Sequence, residues 1–400
     1  MYHQKSRLRR DVMNNSRIYQ SIVAETGRIT PCIGVSANSN AVYGSDDFHD
    51  VAMQAAVANS YISGSASAMR KAIAPDYRPA MSARRIPTDE WYRDIFSRMG
   101  DGRVAACIEN AISSQLDMLR QAGRIPAGGM TVAIDAHLIP CYCKDHGSEM
   151  IHSRSKQGTS YFIRYVTVQC VDRGARLMLA AIHMPALESM SDFVRRLIDL
   201  ARQAGADIKR VLLDREFFAT NVMKALGDMK VWYIIPCRNT DTVVNTLNEF
   251  AADRRGRISE SCITNADGVS ATYTMIITER TRRKKNSKDE PKNRYIGFAT
   301  NEPDVDIAKY GQRWGIETGY KMLEAMRPRT RSRNIAARNF CFLYAVVMFN
   351  AWVLANAMLA DCSDQAETAV TQARFKFMME VMLLSLIITP LELPPEPVAP

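Results

Sequence analysis

The spacing of apolar residues changes along the chain, and the changes mark out its segments. Residues 1 to about 85 are weakly patterned: Ser, Asn, Ala and Met are frequent, and Gly64, Pro75 and Pro79 punctuate. Short helices and loops are expected there. From Thr88 a helical period takes over. Trp91, Ile95 and Met99 recur every fourth position. Thr88 is placed to cap that helix, and Asp89 and Glu90 suit the positive end of its dipole. Gly102 reads as the break. Val104, Ile108, Ile112, Leu116 and Leu119 form a second stripe at helical spacing. Residues 1–125 are therefore expected to be a helical region.

The pattern shortens after the loop Pro126-Ala127-Gly128-Gly129. Thr131 to Ile134 reads as a short buried strand ending at Asp135. Tyr161 to Val171 is rich in aromatic and β-branched residues and predicts a strand. A turn at Asp172-Arg173-Gly174 and a strand over Leu177 to Ile182 complete an antiparallel hairpin. Ser191 is placed to cap a helix carrying Phe193, Leu197, Leu200 and Ala204, with Gly205 ending it. Val211 to Leu213 predicts a strand that stops at Asp214. A helix over Asn221 to Met229 and a strand over Val231 to Ile235 follow. Strand, hairpin, helix, strand, helix, strand describes an α/β fold with a mixed sheet and flanking helices.

Residues 126–239 are taken as the first part of this sheet domain, and 240–304 as a β-rich insertion. The insertion has strands at Ala271 to Thr278 and Tyr295 to Thr300 around the charged stretch Arg280 to Arg294. A helix over Asp304 to Met326 begins the segment 305–360 that completes the domain. Phe340 to Ala360 carries no charge and is long enough to span a bilayer. Asn350 and Asn356 would need partners in lipid, so a buried core helix is the preferred reading. Residues 361–400 are expected to hold a C-terminal helix and a Pro-rich tail.

Charge and cysteine content then narrow the partners. Lys plus Arg number 52 against 42 Asp plus Glu, a net charge of +10. A basic surface favours a polyanion, because neutralising phosphates releases counterions. Nine cysteines, mostly far apart, do not describe a disulfide framework. Reduced thiols and a cytoplasmic, nucleoid-associated location are expected. The basic start (Lys5, Arg7, Arg9, Arg10) is not followed by an apolar segment, so no secretory signal is expected.

The candidate chemistry lies in three carboxylates. Asp135 and Asp214 each follow an apolar strand, where an unpartnered charge is costly; either could also simply cap the sheet rim. Tyr310, Arg313 and Glu317 are spaced three and four apart and share one helical face. Arg313 and Glu317 read in isolation as a surface ion pair. Three carboxylates on separate elements can hold two hard cations, about 3.5–4 Å apart, that act on a phosphodiester. Cys141, Cys143, His146 and His152 invite a zinc reading, but their spacing fits no common finger. His137, two residues past Asp135, reads as packed or solvated.

In order, VAIDAHLIPCYCK, SKQGTSYFIRYVT, VLLDREFF and YGQRWGIETGYK resemble the insertion-sequence DDE transposases that carry the YREK signature. GTSYFIRYVTV and TRSRN with the later NAW look most like the archaeal and bacterial elements of that group. The resemblance covers about residues 126 to 358. It implies a ribonuclease H-like mixed sheet, a β-rich insertion before the third carboxylate, and Mg²⁺ or Mn²⁺, as two ions, held by Asp135, Asp214 and Glu317. It implies that Tyr310 and Arg313 contact DNA near the cleaved end.

The signature's lysine departs from the pattern. Its usual place falls on Glu324, and Lys321 is a displaced candidate. The insertion has no Trp; Tyr273, Tyr295 or Phe298 could stack on a base in its place. Arg327, Arg329, Arg331 and Arg333 alternate after the Glu317 helix and, with Lys156, are expected on phosphates. Double-stranded DNA is the expected partner, as terminal inverted repeats and as target, bound by a homodimer without a membrane. Recognition of the repeats is assigned to residues 1–125. The competing readings are a decayed or domesticated DNA-binding protein of this fold, and a basic protein anchored by Phe340 to Ala360.

Overall fold

The computed structural model describes residues 43–72, 81–83, 86–143, 147–186, 188–253, 258–265, 267–280, 291–360 and 371–390. The chain divides into two compact units: Gly123–Tyr320, and Met1–Ala122 with Lys321–Pro400.

The Gly123–Tyr320 unit is built on one mixed sheet. Its strands are β1 (Met130–Pro140), β2 (Ile151–Lys156), β3 (Thr159–Cys170), β4 (Met178–His183), β5 (Ile208–Leu213), β6 (Trp232–Pro236), β7 (Ile258–Thr264), β8 (Ser270–Glu279) and β9 (Tyr295–Thr300). Their spatial order is β2-β3-β1-β5-β6-β9-β8-β7, with β4 also on β3. β1, β5 and β6 are mutually parallel. β3 runs antiparallel to β1, and β9 antiparallel to β6. A mixed sheet with flanking helices is the fold class that the sequence predicted.

The parallel centre is covered on both faces, as its composition requires. Met130 to Ile134 are all buried, and so are Val211 to Leu213. The helix Met190–Gln203 turns Phe193, Val194, Leu197, Ile198 and Ala201 inward. Toward the edge the burial alternates. In β8, Ala271, Tyr273, Met275 and Ile277 are buried, and the residues between them are half-buried or exposed.

Several expectations need correction. β1 does not stop at Ile134: it continues to Pro140 because β3 pairs with it as far as Pro140↔Phe162. The helix after β4 is entered from Ser189, whose backbone is extended, and Ser191 lies inside it. The segment 240–304, expected to be a β-rich insertion, is not made of strands alone. It holds a helix, Asp241–Asp253, and its strands extend the main sheet through the β9–β6 pairing. The basic cluster from Arg282 to Lys288 lies outside the described residues.

The second unit is helical. It contains Ser45–Val57, Ile62–Ala72, Asp89–Arg98, Asp101–Gln121, Ile335–Ala360 and Gln372–Ile387. Thr88 caps as predicted, accepting from the Trp91 amide at 3.5 Å. The break falls at Met99 and Gly100, just before Gly102, which sits in the first turn of the next helix. Phe48 anchors an aromatic cluster with Tyr92, Phe96 and Phe340.

Ile335–Met358 is the one described stretch long and apolar enough to cross a membrane, and 83% of its most apolar window is buried. Gln115 donates to the Val347 carbonyl at 2.9 Å, and Asn339 to Asp101 at 2.7 Å, so polar groups tie this helix to Asp101–Gln121. It belongs to the helical unit, and the segment 305–360 is shared between the units, dividing after Tyr320.

Candidate active site

The parallel ladder between β1 and β5 ends at Ile134↔Leu213. Asp135 and Asp214 are the next residue on each strand, so they leave the ladder side by side, about one strand spacing of 4.7–4.9 Å apart along the backbone. Asp135 stays in β1, held by β3 opposite Thr167. Asp214 turns out of the sheet, its Oδ1 accepting from the Arg215 amide at 2.7 Å to start a short 3₁₀ turn, Arg215–Phe217.

The third carboxylate returns on a two-part helix. The continuous helix expected over Asp304 to Met326 is a 3₁₀ segment, Ile307–Arg313, followed by an α-helix, Trp314–Glu324. The common face survives the change. A 3₁₀ helix repeats every three residues, which carries Tyr310 onto Arg313, and an α-helical step of four carries Arg313 onto Glu317. Tyr310 donates to the Leu213 carbonyl at 3.1 Å, and its ring packs on Phe298 with centroids 5.1 Å apart. Its hydroxyl is therefore engaged with the end of β5, just before Asp214. Burial pushes its pKa up to about 12.

Arg313 joins the carboxylates. Its side chain is 11% exposed, and it meets Asp135 Oδ2 at 3.4 Å and Glu317 Oε1 at 2.6 Å. Burial works against its charge, but Tyr310, Asp135, Asp214 and Glu317 together hold its pKa above the ordinary value. Desolvation pushes Asp135 up to about 6; the Ala136 amide and Arg313 pull it down, and Asp214 and Glu317 push it further up. The site thus places three carboxylates within electrostatic reach of one another, with a guanidinium bridging two of them.

The helix carrying Glu317 is seated by small residues. A Cβ on Gly319 would stand 2.5 Å from Gln169 Oε1, and one on Gly315 would touch Val171 at 3.4 Å. Tyr320, buried one residue on, donates to the Asp135 carbonyl at 2.7 Å and shares a 2.7 Å hydrogen bond with the Thr167 hydroxyl. His137 stacks on the Tyr320 ring at 4.6 Å, so of the two readings, packed or solvated, it is packed. Gly319→Ala is expected to lower stability by about 1–3 kcal/mol through overpacking. Gln169→Ser in the same chain should restore most of it, measured by thermal denaturation. Failure of that rescue would mean that the close approach is not what Gly319 provides.

Lys156 is held away from this site, and the other predicted basic residues lie in the second unit. Lys156 is exposed at the β2–β3 hairpin tip, beside the positive-φ pair Gln157 and Gly158. It pairs with Thr159, eight residues along β3 from Thr167, on the order of 27 Å of strand. Lys321, Arg327, Arg329, Arg331 and Arg333 belong to the helical unit. Arg327 pairs with Glu324 at 3.0 Å, Arg329 donates to Asn59 at 2.8 Å, and Arg331 lies over Tyr61 at 4.7 Å. The alternation is real: Pro328 is buried, while Arg329, Arg331 and Arg333 are exposed.

Tyr273, Tyr295 and Phe298 are buried in ring contacts with Phe218, Phe250 and Tyr310, so none of the three is free to stack on a base. Cys141 is buried, His152 packs edge-on to Tyr161, and His146 lies outside the described residues. Among the described residues no three His, Cys, Asp or Glu side chains are gathered to grip one ion.

One residue of interest was not anticipated. Trp314, between Arg313 and Glu317, is 67% exposed. The signal was present in the sequence. The buried face of its helix is Ile316, Tyr320 and Leu323, and a Trp off that face had no core to enter.

A mixed sheet that sets two aspartates at the end of adjacent parallel strands, with a glutamate returned by a later helix, is the frame of a polynucleotidyl transferase. The chain belongs to the family of the transposase DDE domain, whose family model matches residues 126–350, more than half the chain. A search of curated proteins finds no significant match. Among solved structures the chain is similar to the piggyBac transposase in its synaptic complex with hairpin DNA, seen by cryo-EM. The TM-score is 0.51 at 12% identity, over 94% of this chain and 80% of that one. At that identity the likeness is one of fold.

Proposed function

We propose that this transposase cuts DNA at the ends of a mobile element and transfers the freed 3′-hydroxyl to target DNA, as an enzyme of the YREK group of archaeal and bacterial insertion sequences. The observation that carries this reading is that Asp135, Asp214 and Glu317, borne on three separate elements, lie within electrostatic reach of one another.

The donor set fits Mg²⁺ or Mn²⁺. All three side chains offer hard carboxylate oxygens. The Asp135 carboxyl is pushed up to about 6 chiefly by desolvation, with Arg313 pulling it down and two acidic neighbours adding to the rise, and a bound cation would favour its charged form. Asp135, Asp214 and Glu317 would hold two ions, which supply activation of the attacking oxygen and stabilisation of the leaving one when bound.

The remaining roles follow from placement. Tyr310 positions the end of β5 beside Asp214 and, as the resemblance implies, contacts DNA near the cleaved end. Arg313 supplies a two-pronged donor for a phosphate next to the scissile bond. Trp314 offers its exposed face to a base there. Lys156, Lys321, Arg329, Arg331 and Arg333 contact phosphates farther along double-stranded DNA, and a homodimer holds two ends. The similar piggyBac structure, being a synaptic complex with DNA, is in keeping with this partner.

The test is incubation of the full chain with duplex spanning the inverted repeats that flank its gene. Cleavage at the repeat boundary in Mg²⁺ or Mn²⁺, abolished by chelator, is expected; cleavage that persists in chelator contradicts the reading. Trp314→Ala should weaken binding of that duplex by about 1–3 kcal/mol, the range for one base–aromatic stack. Trp314→Phe should retain most of the affinity. Fluorescence anisotropy measures both, and equal affinity for the alanine variant and wild type would remove Trp314 from the interface.

A further inference from the structure

Asp135 and Glu317 can be neutralised by a guanidinium or by a divalent ion, and Arg313 already does so. Its two terminal nitrogens are committed to the two carboxylates, at 3.4 Å and 2.6 Å. Its Nε is buried and has no hydrogen-bond partner. An arginine kept only for structure is expected to place its buried donors, because an unsatisfied one carries a desolvation penalty. The longer contact, to Asp135, lies near the outer limit of a hydrogen bond. The resting arrangement is thus incomplete at both the Nε and the Asp135 ends.

The proposed function also gives Arg313 a second oxyanion, a DNA phosphate. A guanidinium has five N–H donors but a single positive charge, so the phosphate competes with the two carboxylates for that charge and draws it toward itself.

We propose that Arg313 is a latch on metal loading. Without DNA it competes with the divalent ion for Asp135 and Glu317; a phosphate entering the site draws it away and frees both carboxylates. Metal and DNA then bind with positive coupling, and by linkage each raises the other's affinity. The device delays assembly of a cutting-competent site until a strand is present. This rests on the metal-site reading above.

The alternative, that Arg313 is a scaffold holding the carboxylates in liganding positions, predicts the opposite sign. Removing a scaffold weakens metal binding, whereas removing a competitor strengthens it.

The experiment is a Mn²⁺ titration of the full chain without DNA, read by the electron paramagnetic resonance of free Mn²⁺. Wild type, Arg313→Gln, Arg313→Lys and Asp135→Asn are compared. Arg313→Gln is expected to bind Mn²⁺ about tenfold tighter than wild type, or more, the scale of one charge-assisted hydrogen bond. Arg313→Lys, which keeps the charge but not the fork, is expected in between. Duplex from the gene's own flanks should tighten Mn²⁺ binding in wild type and change it little in Arg313→Gln.

Equal or weaker Mn²⁺ binding by Arg313→Gln overturns the latch. Should that variant fail to fold, Arg313→Lys decides on the same criterion. If Asp135→Asn binds Mn²⁺ as wild type does, the metal-site reading falls first and the latch falls with it.

Discussion

Asp135→Asn, Asp214→Asn and Glu317→Gln will each abolish metal-dependent strand cleavage while leaving the fold intact. A lost metal ligand removes charge stabilisation at both the attacking and the leaving oxygen, and even a second-shell ligand partner is worth about 10–100-fold. Each substitution should therefore cost at least about a hundredfold in cleavage rate. The three losses should not add, because the residues act as one unit.

Stability separates this account from a structural one. The Asp135 carboxyl is raised to about 6 mainly because burial disfavours its charge, so that charge opposes folding at neutral pH. Asp135→Asn should melt at or above the wild-type temperature. A purely structural Asp135 would lower the melting temperature and activity together, and calorimetry alongside the cleavage assay distinguishes the two.

The largest effect on stability is expected at the other end of the same strands. Arg210 on β5 is 5% exposed and forms a two-pronged pair with Glu302, which is 7% exposed and follows β9. Arg210 also reaches Thr131 on β1 at 3.3 Å, so one buried cation links three parts of the sheet. Arg210→Met leaves the Glu302 charge buried without its partner, a change that costs about 3–5 kcal/mol. For a unit of this size that corresponds to a fall of roughly 6–20 °C in melting temperature. Replacing both, Arg210→Met with Glu302→Leu, should recover most of the loss, because the penalty lies in the orphaned charge and not in the missing attraction. A double variant no more stable than the single one would assign Arg210 a role beyond pairing. The pair lies three residues before Leu213, so its loss should also disturb Asp214 and cleavage.

Local patterns revealed much of this architecture, and long-range pairing decided the rest. The apolar runs before Asp135 and Asp214 marked both strands, and the offsets from Tyr310 to Glu317 marked their common face. The length of β1 was hidden, because β3 pairs with it well beyond the apolar run, and no local signal in LIPCYC shows that partner. That the insertion's strands continue the main sheet was hidden for the same reason: the β9–β6 pairing joins them to it.

Helix Asp241–Asp253 escaped notice because its sequence is mostly polar, with Val243 and Leu247 as its buried anchors. The bridge from Arg313 to Asp135 spans 178 positions and has no sequence signature. Gly319 and Tyr320 read as ordinary helix residues; only the closeness of Gln169 and of the Asp135 carbonyl gives them work at the site.

Strand joining tests the central claim most directly. A pre-cut element end carrying a 3′-hydroxyl, mixed with the full chain, Mn²⁺ and a supercoiled plasmid, should become covalently joined to the plasmid. The same end with a 3′-deoxy terminus, or the Asp135→Asn chain, should give no joined product. Joining by the 3′-deoxy end, or joining by Asp135→Asn at the wild-type rate, would contradict a carboxylate-held metal site that cuts and transfers DNA strands.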